Sequence, residues 1–509
     1  MSIGLAAAKF FKAGLSIFSL VLSAKYFGAS LDRDAWVIAG AAIAIASQLA
    51  FGPLNEIFRT RYVHLRESIS EEDAIKATSS LLGAVCVISV LMIAICLSAP
   101  DQVSEVIAGG FTFQQRQSVA AMVRYLMPTL LLNELSLMWI GILNTYGSYY
   151  IPDLLSIVSV VVNILCIIVL APLIGILSLV VSAYLSVLFL IVTLVLAIKR
   201  KQKAVLMPAI PRWKLIRPFV LYSIPFYLSY LAGNVHLFVE RLLCTYLGVG
   251  TASYLDYARK FIDVPMSTIA GVVTAVLTPT LAQYFARRQQ IEFAEETVRY
   301  LRMLVIIIIP VFCIFTFCSK ELVEVILFHG QFKQENILPT SRILFWFGFG
   351  FMIYVFYAVS ANALISSNRV IHLAVSSSIT LFGSVIINLL LYRVHGAVIF
   401  PMSWSFSLLL SSMYMVTVLF GKNLHALKKI CMMLCAILLT LVLSYFLKRY
   451  VVVSFSQYFI SFLSGNLSVI LSFTILSNIV FIGILILLRF EELRFITKGI
   501  NSKNIWRNH

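Results

Sequence analysis

Seven basic residues, Lys9, Lys12, Lys25, Arg124, Arg241, Arg259 and Lys260, stand inside or at the edges of segments that are otherwise apolar enough to cross a membrane. A cation near the bilayer centre costs a few kcal/mol, so such residues face a bundle interior or a water-filled path. The chemistry they suit is capture of an anion. In the first segment Lys9, Lys12, Ser16, Ser19 and Ser23 recur every three or four residues and so share one helix face. Lys9 and Lys25 also lie within snorkelling reach of opposite interfaces, and serines pack helices closely, so part of this stripe has a purely structural reading.

A second cluster opens the eighth span: Ser253-Tyr-Leu-Asp256-Tyr-Ala-Arg259-Lys260-Phe-Ile-Asp263-Val-Pro265. Asp256 and Lys260 are four apart, as are Arg259 and Asp263, and Lys260 and Asp263 are three apart, so all can pair along a helix. Two readings stay open. The pairs form a self-neutralised ladder that lets the helix insert, or a phosphate competes for Arg259 and Lys260 while the carboxylates keep binding reversible. Glu240 and Arg241 add an opposed pair on adjacent faces of the seventh span. Glu134 in the fourth is a lone carboxylate at mid-span.

The elements that hold these residues follow from composition. Of 509 residues, 61% are hydrophobic and 12% charged, and the mean hydropathy is +0.96, far from a soluble domain's roughly half apolar content. Apolar runs of about 20 residues, each able to cross a core about 30 Å thick, recur through the chain. Fourteen can be drawn between Ile3 and Leu488. The first, Ile3 to Phe27, exceeds the core of a signal peptide, about 7–15 residues, and reads as a span. The net charge of +17 is distributed by topology and does not point to nucleic acid: 24 of the 39 Lys and Arg fall in loops on one side and in the tail, and eight on the other. The excess places both termini in the cytoplasm. The eight cysteines all lie in apolar segments and read as small core residues.

The sequence carries an internal duplication. Glu105-Val-Ile-Ala-Gly-Gly-Phe-Thr-Phe-Gln-Gln115 and Glu324-Val-Ile-Leu-Phe-His-Gly-Gln-Phe-Lys-Gln334 agree at five of eleven positions at an offset of 219. Tyr26-Phe-Gly28 faces Tyr246-Leu-Gly248 at nearly the same offset. A repeat six spans apart keeps both copies in one orientation and places substrate between two halves that rock against each other. The expected architecture is an all-α integral membrane protein of about fourteen transmembrane helices: a six-helix lobe over 1–200, a basic cytoplasmic linker over 201–217, a second six-helix lobe over 218–421, and an extra helix pair with a basic tail over 422–509. Pro265 and Pro279 bracket the rest of the eighth span and can bend it. No Walker motif, metal-ligand set or nucleophile elbow is present. An ATP-driven pump in a single chain is excluded, and no cofactor is expected.

Three stretches resemble one family. They are Tyr246-Leu-Gly-Val-Gly-Thr-Ala-Ser-Tyr-Leu-Asp-Tyr-Ala-Arg-Lys260-Phe-Ile-Asp263-Val-Pro265 running on to Leu277-Thr-Pro279, Ile326-Leu-Phe-His-Gly-Gln-Phe332 followed by Tyr357-Ala358, and Phe27-Gly-Ala29 with Asp34-Ala35. The chain is similar there to the MurJ-like branch of the multidrug/oligosaccharidyl-lipid/polysaccharide exporter superfamily. The resemblance implies a flippase, not an enzyme, that moves an undecaprenyl-pyrophosphate-linked glycan of lipid II type from the inner to the outer leaflet by alternating access. It further implies a multi-pass protein of the bacterial cytoplasmic membrane, with the lipid-linked glycan and membrane lipids as partners, and a monomer is expected. The coupling ion is left open.

Carried over by position, Ser253, Lys260 and Asp263 match a serine, a basic and an acidic residue that matter in the family, and Asp34 matches a family aspartate. The head-group set is Lys12, Arg241, Ser253, Arg259, Lys260 and Asp263. Supporting residues are Asp34, Lys9, Lys25, Ser16, Ser19, Glu240 and Asp256. Where lipid II flippases carry arginines in the first span and at the end of the second, Ala13, Ser19 and Ala46 stand here. Lysine supplies charge without the planar fork that grips phosphate. A flippase for an exopolysaccharide or O-antigen repeat unit is the alternative. A cation-coupled drug exporter, for which Glu134 is the one clear coupling carboxylate, is a third.

Overall fold

The computed structural model describes residues 2–148, 150–202, 207–421, 423–452 and 465–487. The Lys9 side chain and the basic tail from 488 onward lie outside the described residues, as do residues 203–206 of the linker. Among the described residues every regular element is helical. The chain runs through α1 (Ser2–Phe27), α2 (Leu31–Ser68), α3 (Glu71–Ser98), α4 (Pro100–Ile107), α5 (Phe113–Leu126), α6 (Thr129–Thr145), α7 (Tyr150–Ile174), α8 (Leu177–Gln202) and α9 (Trp213–Tyr246). It continues through α10 (Thr251–Val272), α11 (Thr278–Ala286), α12 (Gln290–Phe317), α13 (Ser319–Leu327), α14 (Gln334–Ser366), α15 (Val370–His395), α16 (Ile399–Phe420), α17 (Leu424–Leu447) and α18 (Gly465–Leu487).

Backbone polar groups find no water in a bilayer core, and a helix satisfies them internally. Among the described residues nine helical stretches are long and apolar enough to cross, or ten if α5 and α6 form one span bent by 42°. α10 misses that test for a chemical reason: Asp256, Arg259, Lys260 and Asp263 fall within three of its turns. Helix starts are specified locally. Ser30 accepts from the Arg33 amide at the start of α2 (3.3 Å) and Ser70 from the Asp73 amide at the start of α3 (3.1 Å). A capping box joins Thr112 and Gln115 at the start of α5. These side chains take up amides that the first helical turn leaves without a partner. Pro265 lies inside α10, and the backbone widens into a π turn over Val273–Leu277 before α11 begins at Thr278-Pro279, the type of local bulge that bends a helix.

The chain packs as two compact units. One comprises Met1–Tyr257, His329–Asn336 and Leu389–Ala397, and the other Ala258–Phe328, Ile337–Asn388 and Val398–His509. In the first unit the long α2 packs against α3, α5, α6 and α9, while α7 packs against α1 and α8. Leu22 of α1 joins Ile164, Ile167, Ala171 and Leu179 in an apolar cluster with Trp36 beside it, and Phe58 stacks on Phe219 at 6.2 Å. In the second unit α12 packs against α17 and α18. Leu364 and Met415 are fully buried in a cluster with Tyr357 and Leu373, and Gly350 leaves room for the Trp404 ring. None of the cysteines is in a disulfide among the described residues, and Cys431 and Cys435, read from sequence as core residues, are exposed on α17. They lie on a face that the apolar helix turns outward.

Two glycines fix a close approach within the first unit. Gly28 (φ +55°) and Gly330 (φ +60°) both adopt the left-handed conformation, which costs an L side chain about 1–2 kcal/mol. A Cβ on Gly28 would collide with the Gln331 carbonyl, and one on Gly330 with the Lys25 carbonyl. The Gln331 amide donates to the Lys25 carbonyl at 2.8 Å. The duplicated loop makes the matching contact: the Gly110 amide donates to Thr245 Oγ1 at 3.0 Å, and a Cβ on Gly110 would overlap the Tyr246 backbone.

Candidate functional site

The densest polar constellation of the first unit forms where α1 ends, α2 begins and α9 hands over to α10. Gly248 (φ +103°) and Gly250 (φ +91°) turn the chain from α9 into α10. The first amides of α10 would be orphaned there, and a residue from another helix takes them up. Asp34, wholly buried, accepts from the Gly250 amide at 2.5 Å, the Ser253 amide at 2.8 Å and the Ser253 hydroxyl at 2.5 Å. The carboxylate thus caps α10 across space, where the partial positive charge of the helix start favours an anion.

One residue earlier, Arg33 is also buried, at 2% exposure. Its Nη2 meets Asp256 Oδ2 at 2.7 Å and its Nε donates to Ser23 Oγ at 2.9 Å. The guanidinium lies 4.6 Å from the Trp36 ring centre and 5.1 Å from that of Tyr257, a cation–π arrangement on both sides. Tyr257 donates to the Gly28 carbonyl at 2.6 Å and packs edge-on against Phe332 at 5.6 Å. Arg241 reaches the other Asp256 oxygen at 3.7 Å and donates to the Ala252 carbonyl at 3.3 Å. Two cations and two carboxylates therefore sum to zero. Both arginines are thus already engaged by Asp256.

The sequence-derived residues divide by what they touch. Ser253, expected to bind a head group, is fully buried and committed to Asp34. Asp256, expected to pair with Lys260 one turn on, turns instead to Arg33 and Arg241. Two guanidiniums, each a planar fork of donors, are already in place there and outcompete a flexible ammonium. Lys260 and Asp263 are exposed, and Arg259 lies 5.2 Å from the Phe347 ring centre in the second unit. In α1, Lys12 Nζ donates to Ser156 Oγ at 3.0 Å and Ser19 to Asn163 Oδ1 at 3.4 Å, so this stripe bonds to α7. Ser16 bonds its own helix at the Lys12 carbonyl. Lys25 is exposed, with its ammonium over the Tyr26 ring. Arg124 is half-exposed near Asp101. Glu240 is buried beside His236, at 3.9 Å.

Arg33 is the residue that sequence reasoning missed. The Ser30 cap places it in the first turn of α2, flanked by Asp32 and Asp34.

A sequence profile described as "Lipid II flippase MurJ" matches residues 23–488. The chain belongs to the MurJ family. A "Probable lipid II flippase MurJ" of Aquifex aeolicus (strain VF5) is 26% identical over 393 residues, 75% of each chain. A protein of that same description from Buchnera aphidicola subsp. Acyrthosiphon pisum (strain APS) is 22% identical over 403 residues, 77% of this chain and 78% of the relative. Among solved structures, "Lipid II flippase MurJ, inward closed conformation" superposes with a TM-score of 0.78 at 20% identity, covering 95% of this chain and 98% of that one. A multidrug resistance MATE family transporter of the MOP superfamily, in an inward-facing conformation, gives 0.63 at 14% identity over 82% and 95%. The MurJ fold therefore extends over nearly the whole chain.

Proposed function

We propose that this chain is a lipid II flippase of the cytoplasmic membrane that carries the undecaprenyl-pyrophosphate-linked precursor from the inner to the outer leaflet by alternating access. The observation that carries this reading is the MurJ profile match over residues 23–488. The reading includes about fourteen spans in two six-helix lobes plus a pair, both termini in the cytoplasm, and a monomer. The element order supports the lobes: a short helix precedes each duplicated loop, α4 before the first and α13 before the second, with three long helical stretches following each loop. The Lys and Arg distribution supports the orientation.

The cations proposed to bind the diphosphate are Lys12, Arg241, Arg259 and Lys260. Lys260 is the most direct to test because it is exposed while its neighbours Tyr257 and Ala258 are buried. In vesicles reconstituted with fluorescent lipid II, Lys260→Ala abolishes translocation while the protein still inserts. Full activity would remove Lys260 from the site. Translocation by the unaltered protein of an O-antigen carrier lipid, with lipid II left behind, would overturn the substrate assignment. That second arm matters because Ala13, Ser19 and Ala46 stand where lipid II flippases carry arginines.

A further inference from the structure

Glu134 takes no part in the polar cluster described above, yet it is 1% exposed in the middle of an apolar helix. α5 and α6 are together long and apolar enough to cross a membrane, and the 42° bend between them lies one to two turns before Glu134. The carboxylate is held from α2: Ser47 Oγ donates to Oε1 and Asn55 Nδ2 donates to Oε2 at 3.0 Å. Ser47 and Asn55 sit near the middle of a helix of 38 residues, about 57 Å at 1.5 Å per residue. Ser47 and Asn55 are therefore remote from either end of α2, and Glu134 follows the start of α6 by five residues.

The helices packed on α6 are α2, α3, α7 and α8. Titratable groups along them include Glu56, Arg59 and Tyr62 on α2, Cys86 on α3, Asp153 on α7 and Tyr184 on α8. Among the described residues none of these bonds to Glu134, and no Lys, Arg or His forms an ion pair with it. A carboxylate at this depth is costly and marks an ion or proton path more often than a packing role. Both of its visible partners donate to it, the arrangement that suits an ionised carboxylate able to take up a proton. On α2, Gln48 and Glu56 are exposed and Asn55, next to Glu56, is half-buried. Glu56 accepts from Tyr230 of α9 at 3.2 Å, which extends the polar line.

We infer that Glu134 is a proton-carrying group of the transport cycle, loaded and unloaded along the polar face of α2 that carries Gln48, Asn55 and Glu56. In the loading step one proton from water binds a carboxylate oxygen, the charge changes from −1 to zero, and the Ser47 hydroxyl rotates from donor to acceptor. Unloading returns the proton to water and restores both donated bonds. This rests on the transporter reading but names a coupling site which that reading does not supply.

The test uses the full chain in liposomes with fluorescent lipid II, the membrane potential clamped by valinomycin and potassium. The wild type flips faster when a pH gradient is imposed. Glu134→Gln, which keeps shape and hydrogen bonding, flips at one rate with or without the gradient. A wild type that flips the lipid but ignores the pH gradient overturns the inference while leaving the flippase assignment intact. A sodium gradient that accelerates flipping through Glu134 at constant pH overturns the proton assignment. If no lipid moves at all, the carboxyl stretch in infrared difference spectra decides. A band that appears and vanishes on pH titration, is shifted by Ser47→Ala and is missing from Glu134→Gln supports the site, and its absence from the wild type refutes it.

Discussion

Removing Arg33 should cost more than its position in the first turn of a helix suggests. The guanidinium is 2% exposed and Asp256 13% exposed, with 2.7 Å between them. Truncating one partner of a buried ion pair leaves the other charged and desolvated, at a cost of about 3–5 kcal/mol. Arg241 remains 3.7 Å from Asp256 and neutralises part of the remaining charge, which places Arg33→Ala near the lower end, about 3 kcal/mol. The Ser23 bond and the contacts with Trp36 and Tyr257 are lost as well. Asp256→Ala should cost a comparable amount, because it leaves two arginines facing each other. The double variant Arg33→Met/Asp256→Leu removes both charges and restores volume, so it should be far less destabilised than the sum of the singles. A coupling energy of about 2–3 kcal/mol is expected from a double-mutant cycle. Reversible denaturation in detergent, followed by tryptophan fluorescence, reads all four corners. Additive singles, with a coupling below about 0.5 kcal/mol, would show that Arg33 and Asp256 do not depend on each other and that the cluster is not held by charge.

Two further perturbations use the same denaturation assay. Gly28→Ala and Gly330→Ala combine a left-handed backbone with overlap on a carbonyl, so each should cost more than about 2 kcal/mol; Gly147→Ala, at φ +71° with nothing within 4 Å of its Cβ, bears the conformational cost alone, and equal losses at all three would refute the close approach. Ser253→Ala removes one of three donors to Asp34 and should cost about 1–2 kcal/mol, whereas Asp34→Ala strips two amides and a hydroxyl of their acceptor and should cost at least twice that; a larger loss at Ser253 would mean that the hydroxyl serves something other than Asp34.

What could be read from the chain beforehand follows from how local each signal is. Helices and their starts rest on neighbouring residues, so apolar runs and caps such as Ser70 with its acidic first turn are visible in sequence. Spacing arguments along one helix were sound for Lys12 and Ser19, which meet Ser156 and Asn163 of α7 at a common separation of 144 residues. They failed at Asp256 because its partner lies 223 residues away. An i,i+4 rule cannot weigh a distant guanidinium that arrives already oriented between two aromatic rings. Arg33 was hidden for the same reason: its charge looked like an interfacial one, and only the tertiary packing of Ser23, Trp36 and Tyr257 around it shows that it is buried.

The duplicated loops illustrate the difference between a signal for ancestry and a signal for chemistry. Glu105 to Gln115 and Glu324 to Gln334 drew attention through shared residues, but what the structure asks of them is backbone clearance. Gly110 admits the Thr245–Tyr246 backbone, and Gly330 with Gln331 admits Lys25 and Gly28. Each loop thus packs on the helix end that belongs, by sequence offset, to the other repeat. Such an exchange ties α1 to Gln331 through a main-chain hydrogen bond and α9 to Gly110 through the Thr245 hydroxyl. The ion pairs at Asp256 are of the other kind, held by charge between side chains. Arg33 and Asp256 are only 2% and 13% exposed, so raising sodium chloride should weaken their contact little and leave the Gly330 contact unchanged; a large loss of stability in salt, read by the same denaturation assay, would refute the burial of the pair.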